Sequence, residues 1–136
     1  MKTYVLDANV LVRFFTQDSP TLGSAAKKLF EAADRGEVEL RLHPTIAAEV
    51  VFVLTKVYQR DRSAVADALL DLMEKPGIAV ESASVLRDAL KRFKAVLVDF
   101  PDALIAALAA DGKVPGASFD RDLDKFKDIT RFEPPP

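Results

Sequence analysis

The chain has 136 residues, 49% hydrophobic and 29% charged, a make-up that fits one globular domain able to bury a core without cross-links. The absence of cysteine excludes disulfides and thiolate metal sites, and a single histidine, His43, excludes any site that needs two imidazoles. A net charge of −2 excludes a globally basic nucleic-acid binder and leaves only local basic patches to meet a polyanion.

Lys2 to Leu6 (KTYVL) is short, rich in β-formers and reads as a buried strand. Residues 9–15 follow as a short helix or turn. Pro20 suits the start of a helix that runs through AAKKLFEAADR to a stop at Gly36. Residues 39–42 (ELRL) read as a second strand. Pro44 opens a third helix, TIAAEVVFVLTKVY, in which Ile46, Val50, Val53, Leu54 and Val57 recur at helical spacing. Asp61 or Ser63 can cap the next helix, which carries AVADALLDLM and ends at Pro76-Gly77. Residues 78–80 make a brief strand, and residues 84–94 an amphipathic helix with the basic end KRFK. Asp99 is placed to cap the helix containing PDALIAALAA, with Gly112 as its stop. Residues 117–119 and 129–132 are further short strands.

Strands alternating with helices predict an α/β fold: a three-layer α/β/α domain with a short central parallel sheet flanked by helices. Its expected span is residues 1–133, with a loose proline tail at 134–136. Neither a basic-then-apolar leader nor an apolar run of membrane length is visible, so the expected location is the cytoplasm.

Several acids stand alone in apolar surroundings. Asp7 is the only charge between Thr3 and Val12, and Glu49 the only one between Pro44 and Thr55. Asp99 and Asp102 are the only charges between Ala95 and Ala110, three apart at a helix start. Capping explains Asp99 adequately and can explain Asp7; Asp102 can complement a helix dipole. Glu49, on the face of an apolar helix, has no such task. Asp7 and Asp120 directly follow strands, at the carboxyl edge where parallel sheets bind ligands, and helices that start there bring Asp102 and Glu49 toward the same edge. Carboxylates gathered in this way repel, and stay ionised only with a cation among them. Oxygen ligands alone point to Mg²⁺ or Mn²⁺, and an acid-lined divalent site suits metal-assisted phosphodiester hydrolysis.

At this point the chain resembles the PIN-domain ribonucleases, specifically the VapC-type toxins of toxin–antitoxin pairs. The resemblance covers essentially the whole chain through VLDANVLVRFF, TIAAEVVFVL, DFPDALIAALA and SFDRDLDKF. It implies a PIN-like fold, Mg²⁺ or Mn²⁺ as cofactor, and an endoribonuclease acting on RNA. Carried over by position, Asp7, Glu49, Asp102 and Asp120 are the metal-binding and catalytic acids. Asn9 matches the polar residue two beyond the first acid, and Ser118 stands where threonine is usual. Asp122 and Asp124 crowd Asp120, so any of these three can be the fourth acid, and Asp99 can assist from outside. The resemblance also implies a homodimer and a small antitoxin partner; the apolar helix from Ile46 to Tyr58 suits such a surface, though a core helix has the same pattern.

Arg13, Arg121 and Lys125 lie near these acids in sequence and are candidates for phosphate contacts, with solvated surface charge as the competing reading, as it is for Lys91, Arg92 and Lys94. His43, preceding a proline and away from any acid, reads as structural. Competing functions are an RNA-processing PIN nuclease without an antitoxin, a non-catalytic RNA-binding module and a receiver-like Mg²⁺-binding signalling domain. The last would need an acidic pair after the first strand, where this chain has only Asp7.

Overall fold

Six α-helices and five short strands follow one another in the alternating order that the pattern of apolar runs predicts, giving a mixed α/β fold with short parallel sheets. The computed structural model describes all 136 residues, which pack as two units, residues 1–82 and residues 83–136.

In the first unit, β1 (Lys2–Val5), β2 (Val38–Leu42) and β3 (Ile78–Val80) form a parallel sheet in the order β1-β2-β3. Tyr4 pairs with Leu40, and Leu40 in turn with Ile78. The central strand supplies the buried Leu40 and Leu42. All four residues of β1 are exposed, against the expectation of a buried strand, because β1 forms an edge of this sheet with a partner on one side only. The strand order follows chain order, so this sheet contains no reversal of the kind that marks a ligand crevice.

Helix α1 (Ala8–Thr16) buries Ala8, Leu11 and Val12 and ends at Gln17, whose φ of 53° is left-handed. The Gln17 amide donates to the carbonyls of Phe14 and Gly23, which ties α1 to α2 (Pro20–Asp34). Phe14 stacks on Phe30 with ring centroids 4.2 Å apart. Ser19 caps α2 by accepting from the Leu22 amide, with Pro20 in the first turn as expected. Gly77, at the entrance to β3, has no room for a side chain: a Cβ there would sit 2.5 Å from the Ala33 carbonyl oxygen.

Helix α3 (Pro44–Phe52) is capped by His43, whose Nδ1 accepts from the Thr45 amide. The structural role expected for His43 is therefore a cap, but it is not away from acids: its Nε2 lies 3.3 Å from Glu81. The expected single helix through Tyr58 changes character at Val53, where five residues widen into a π-helical turn (Val53–Val57). Within this stretch the Thr55 hydroxyl donates to the Val51 carbonyl at 2.7 Å, a back-bond to the residue four earlier. At its end the Tyr58 hydroxyl donates to Asp18 at 2.6 Å, while Arg13 reaches the same carboxylate at 3.1 Å. Helix α4 (Arg62–Met73) completes the unit, capped by Asp61.

In the second unit, α5 (Ala83–Ala95) presents Val85, Leu86, Ala89, Leu90 and Phe93 to its core, a stripe at helical spacing. It packs on α6 (Phe100–Gly112), whose buried Ala103, Ala106 and Ala107 permit close approach. The left-handed residue that ends α6 is Lys113 at φ 54°, one beyond the expected Gly112. The last strands, β4 (Gly116–Ala117) and β5 (Arg131–Phe132), pair in parallel and are shorter than predicted. Between them runs a 3-10 turn (Arg121–Lys125) anchored by buried Leu123. Arg92 is a structural residue: nearly buried at 13% exposure, it bonds Asp88 at 3.0 Å and Asp128 at 2.8 Å and lies over Phe126.

Two outcomes follow. Gly77→Ala is expected to destabilise the fold by about 1–3 kcal/mol, because the methyl group meets backbone that cannot move aside; chemical denaturation measures this. The Tyr58 hydroxyl above all, then Thr16 and Arg13, hold the Asp18 carboxyl down to about 2. Its folded value is thus depressed, so its contribution to stability is present above pH 4 and fades as pH falls toward 2. Tyr58→Phe should therefore be less stable than wild type at neutral pH, with the gap narrowing across that window in denaturation curves.

Candidate metal centre

The first turn of α6 and the 3-10 turn bring three carboxylates together. Asp102 sits in the opening turn of α6, its amide donating to the Asp99 carbonyl at 3.1 Å. Asp120 is the N-cap of the 3-10 turn and accepts from the Asp122 amide at 2.9 Å. One oxygen from each of Asp102, Asp120 and Asp122 lies within 4.8 Å of the others. Gly116, which is buried, keeps the supporting elements close: a Cβ on it would lie 3.3 Å from side-chain atoms of both Ile105 on α6 and Leu123 in the 3-10 turn.

Repulsion at this spacing costs roughly 1 kcal/mol per pair in water-like surroundings and about 4 kcal/mol where the effective dielectric is nearer 20. The Asp102 carboxyl registers it. Partial burial first, then the charges of Asp120, Asp122 and Asp99, push its pKa up, and Lys125 opposes them. Lys125 lies 3.2 Å from Asp122 and donates to the Leu97 carbonyl at 3.0 Å.

The other residues singled out in the sequence fall into distinct places. Asp7 and Asp99 occupy N-cap positions of α1 and α6, yet neither side chain makes a capping bond, so the simple capping account fails for both. Asp7 and Glu49 belong to the first unit, where both are exposed, Glu49 on α3. Asn9 is exposed on α1 and lines a small recess with Val10, Arg13 and Leu22. Arg13 is engaged by Asp18. The Ser118 hydroxyl accepts from the Asp120 amide at 2.9 Å and so fixes the loop that presents this acid. Of the crowded acids, Asp122 joins the cluster, whereas Asp124 is held by Arg131 at 3.0 Å, which lowers its pKa. Arg121 is exposed beside the cluster acids in sequence. The contact between Lys125 and the cluster was missed; its signal was the i,i+3 spacing from Asp122, which eclipses two side chains in a 3-10 turn.

A donor set of carboxylates without sulfur or imidazole suits a hard divalent cation such as Mg²⁺ or Mn²⁺. A family model described as "PIN domain" matches residues 4–129. Members of that family are in general nucleases, typically dependent on divalent metal ions. Among curated proteins no significant match is found. No helix is long and apolar enough to cross a membrane.

Asp102→Asn removes one charge from the cluster while preserving shape. Without added metal it is expected to raise the melting temperature by roughly 2–5 °C, through relief of repulsion. Thermal unfolding in EDTA measures this, and an unchanged or lower value would deny that the carboxylates strain one another.

Proposed function

The chain belongs to the PIN domain family, and from that premise we propose that it is a metal-dependent endoribonuclease serving as the toxin of a toxin–antitoxin pair. The observation that carries the catalytic part is the meeting of Asp102, Asp120 and Asp122 within 4.8 Å on a chain that the family model matches almost from end to end. The extent of that match also supports reading residues 1–133 as one domain.

In this reading Asp102, Asp120 and Asp122 hold the cation, and Asp7 and Glu49 count as metal-binding and catalytic acids on the family resemblance alone. A divalent ion, Mg²⁺ or Mn²⁺, would supply an acidified water and neutralise charge that develops on the scissile phosphate. The protein's own residues set the stage. Ser118 fixes the backbone at Asp120, and Asp120 fixes that at Asp122, so the acids stand preorganised. Arg121, exposed in the 3-10 turn, is the better candidate for a substrate phosphate, since Arg13 already serves Asp18.

A partner surface has support of its own. Phe52 at the end of α3 is 60% exposed and Val57 66% exposed. Apolar side chains of this size left in solvent suit a second copy of the chain or a small antitoxin protein. A cytoplasmic location accords with this role.

The test is incubation of the purified protein with total RNA, with and without Mn²⁺. Discrete fragments are expected only with metal, and Asp102→Asn and Asp7→Asn should each lower the rate by about a hundredfold or more. Cleavage that persists in EDTA, or that the variants retain in full, would reject the assignment. Mn²⁺ should also raise the melting temperature of the wild type more than that of Asp102→Asn.

A further inference from the structure

Lys125 sets a positive charge against the carboxylate cluster and is held there from two sides. Its Nζ lies 3.2 Å from Asp122 Oδ1 and donates to the Leu97 carbonyl at 3.0 Å. One acceptor belongs to the 3-10 turn and the other to the segment between α5 and α6, so the ammonium is more constrained than a lone surface lysine on its flexible stem.

We propose that Lys125 is a resident counter-cation, standing in for part of a divalent ion's charge while the cluster is metal-free and competing with that ion for Asp122. The proposal rests on the metal-centre reading above. A single ammonium cannot offset three carboxylates, so the cluster still attracts a double charge. The incoming ion must nonetheless settle beside a like charge or displace it from Asp122. Metal affinity is therefore lower, and the metal-free fold more stable, than the acids alone would make them.

A bracing role and a competing role have opposite signatures. A lysine that only holds Asp122 in place would, once removed, leave the ligands less ordered and ion binding weaker. A competing lysine, once removed, leaves the metal-free protein less stable and ion binding tighter. Lys125 is about half exposed, so its replacement by methionine should leave the fold intact.

The experiment is calorimetric titration of Mn²⁺ into wild type, Lys125→Met and Lys125→Arg, with melting temperatures of each in EDTA and in Mn²⁺. Lys125→Met is expected to bind Mn²⁺ about tenfold tighter, the order expected for one unit charge near a divalent ion in a largely solvated site. It should melt lower in EDTA and show the larger upward shift with Mn²⁺, while Lys125→Arg, which keeps the charge, stays near wild type. Equal or weaker binding by Lys125→Met, with Mn²⁺ still bound by wild type, overturns the proposal and leaves the metal centre standing. A wild type that binds no Mn²⁺ at all overturns the metal centre and this proposal together.

Discussion

Like charges held at close range are the constraint around which the C-terminal half is organised. Asp102, Asp120 and Asp122 approach within 4.8 Å, an arrangement that opposes folding and that packing elsewhere must outweigh. The opposing forces are identifiable. The packing of α5 on α6 and the buried Leu123 fix the elements that carry the acids. Arg92, clamped between Asp88, Asp128 and Phe126, ties α5 to the segment beyond the 3-10 turn. Charge is thus concentrated at one place by apolar contact and ion pairing at others. Sites that bind cations are commonly built this way, with stability sacrificed locally for a ligand-ready geometry.

Much of this was legible in the chain because its punctuation is strong. Prolines at the starts of α2 and α3, Asp61 before α4 and the apolar stripe of α5 each act through local physics, and the elements begin where those residues stand. Asp102 and Asp120 were visible for different reasons: Asp102 is one of two lone charges in an apolar stretch where burial would be costly, and Asp120 directly follows a predicted strand. The sequence was silent where pairing decides the outcome. β1 has the composition of an interior strand, yet exposure depends on how many neighbours a strand acquires, which no local pattern encodes. The same holds for Asp122 and Asp124, two residues apart with identical chemistry; one joins the cluster and the other is claimed by Arg131 from β5.

Local rules also overreached at the helix ends. Asp7 and Asp99 stand in N-cap positions with extended backbone, which is what a capping motif looks like in sequence, but their side chains leave the helix amides alone. Ser19, His43 and Asp61 occupy equivalent positions and do make the bond. A carboxylate that forgoes a capping bond worth about 1 kcal/mol is free to serve something else, so these two acids are set apart from the ordinary caps by what they do not do.

The π-helical turn at Val53–Val57 bears on how this chain can vary. Such a turn is equivalent to one residue inserted into an α-helix, and each helical residue turns the rest of the chain by about 100°. Deleting a single residue there would return the segment to regular α-helix and swing Tyr58 away from Asp18, undoing a link between two stretches 40 positions apart. Relatives in which this helix is one residue shorter would have to fasten the end of α1 by other means, so the presence of the Tyr–Asp pair and the length of the helix should change together.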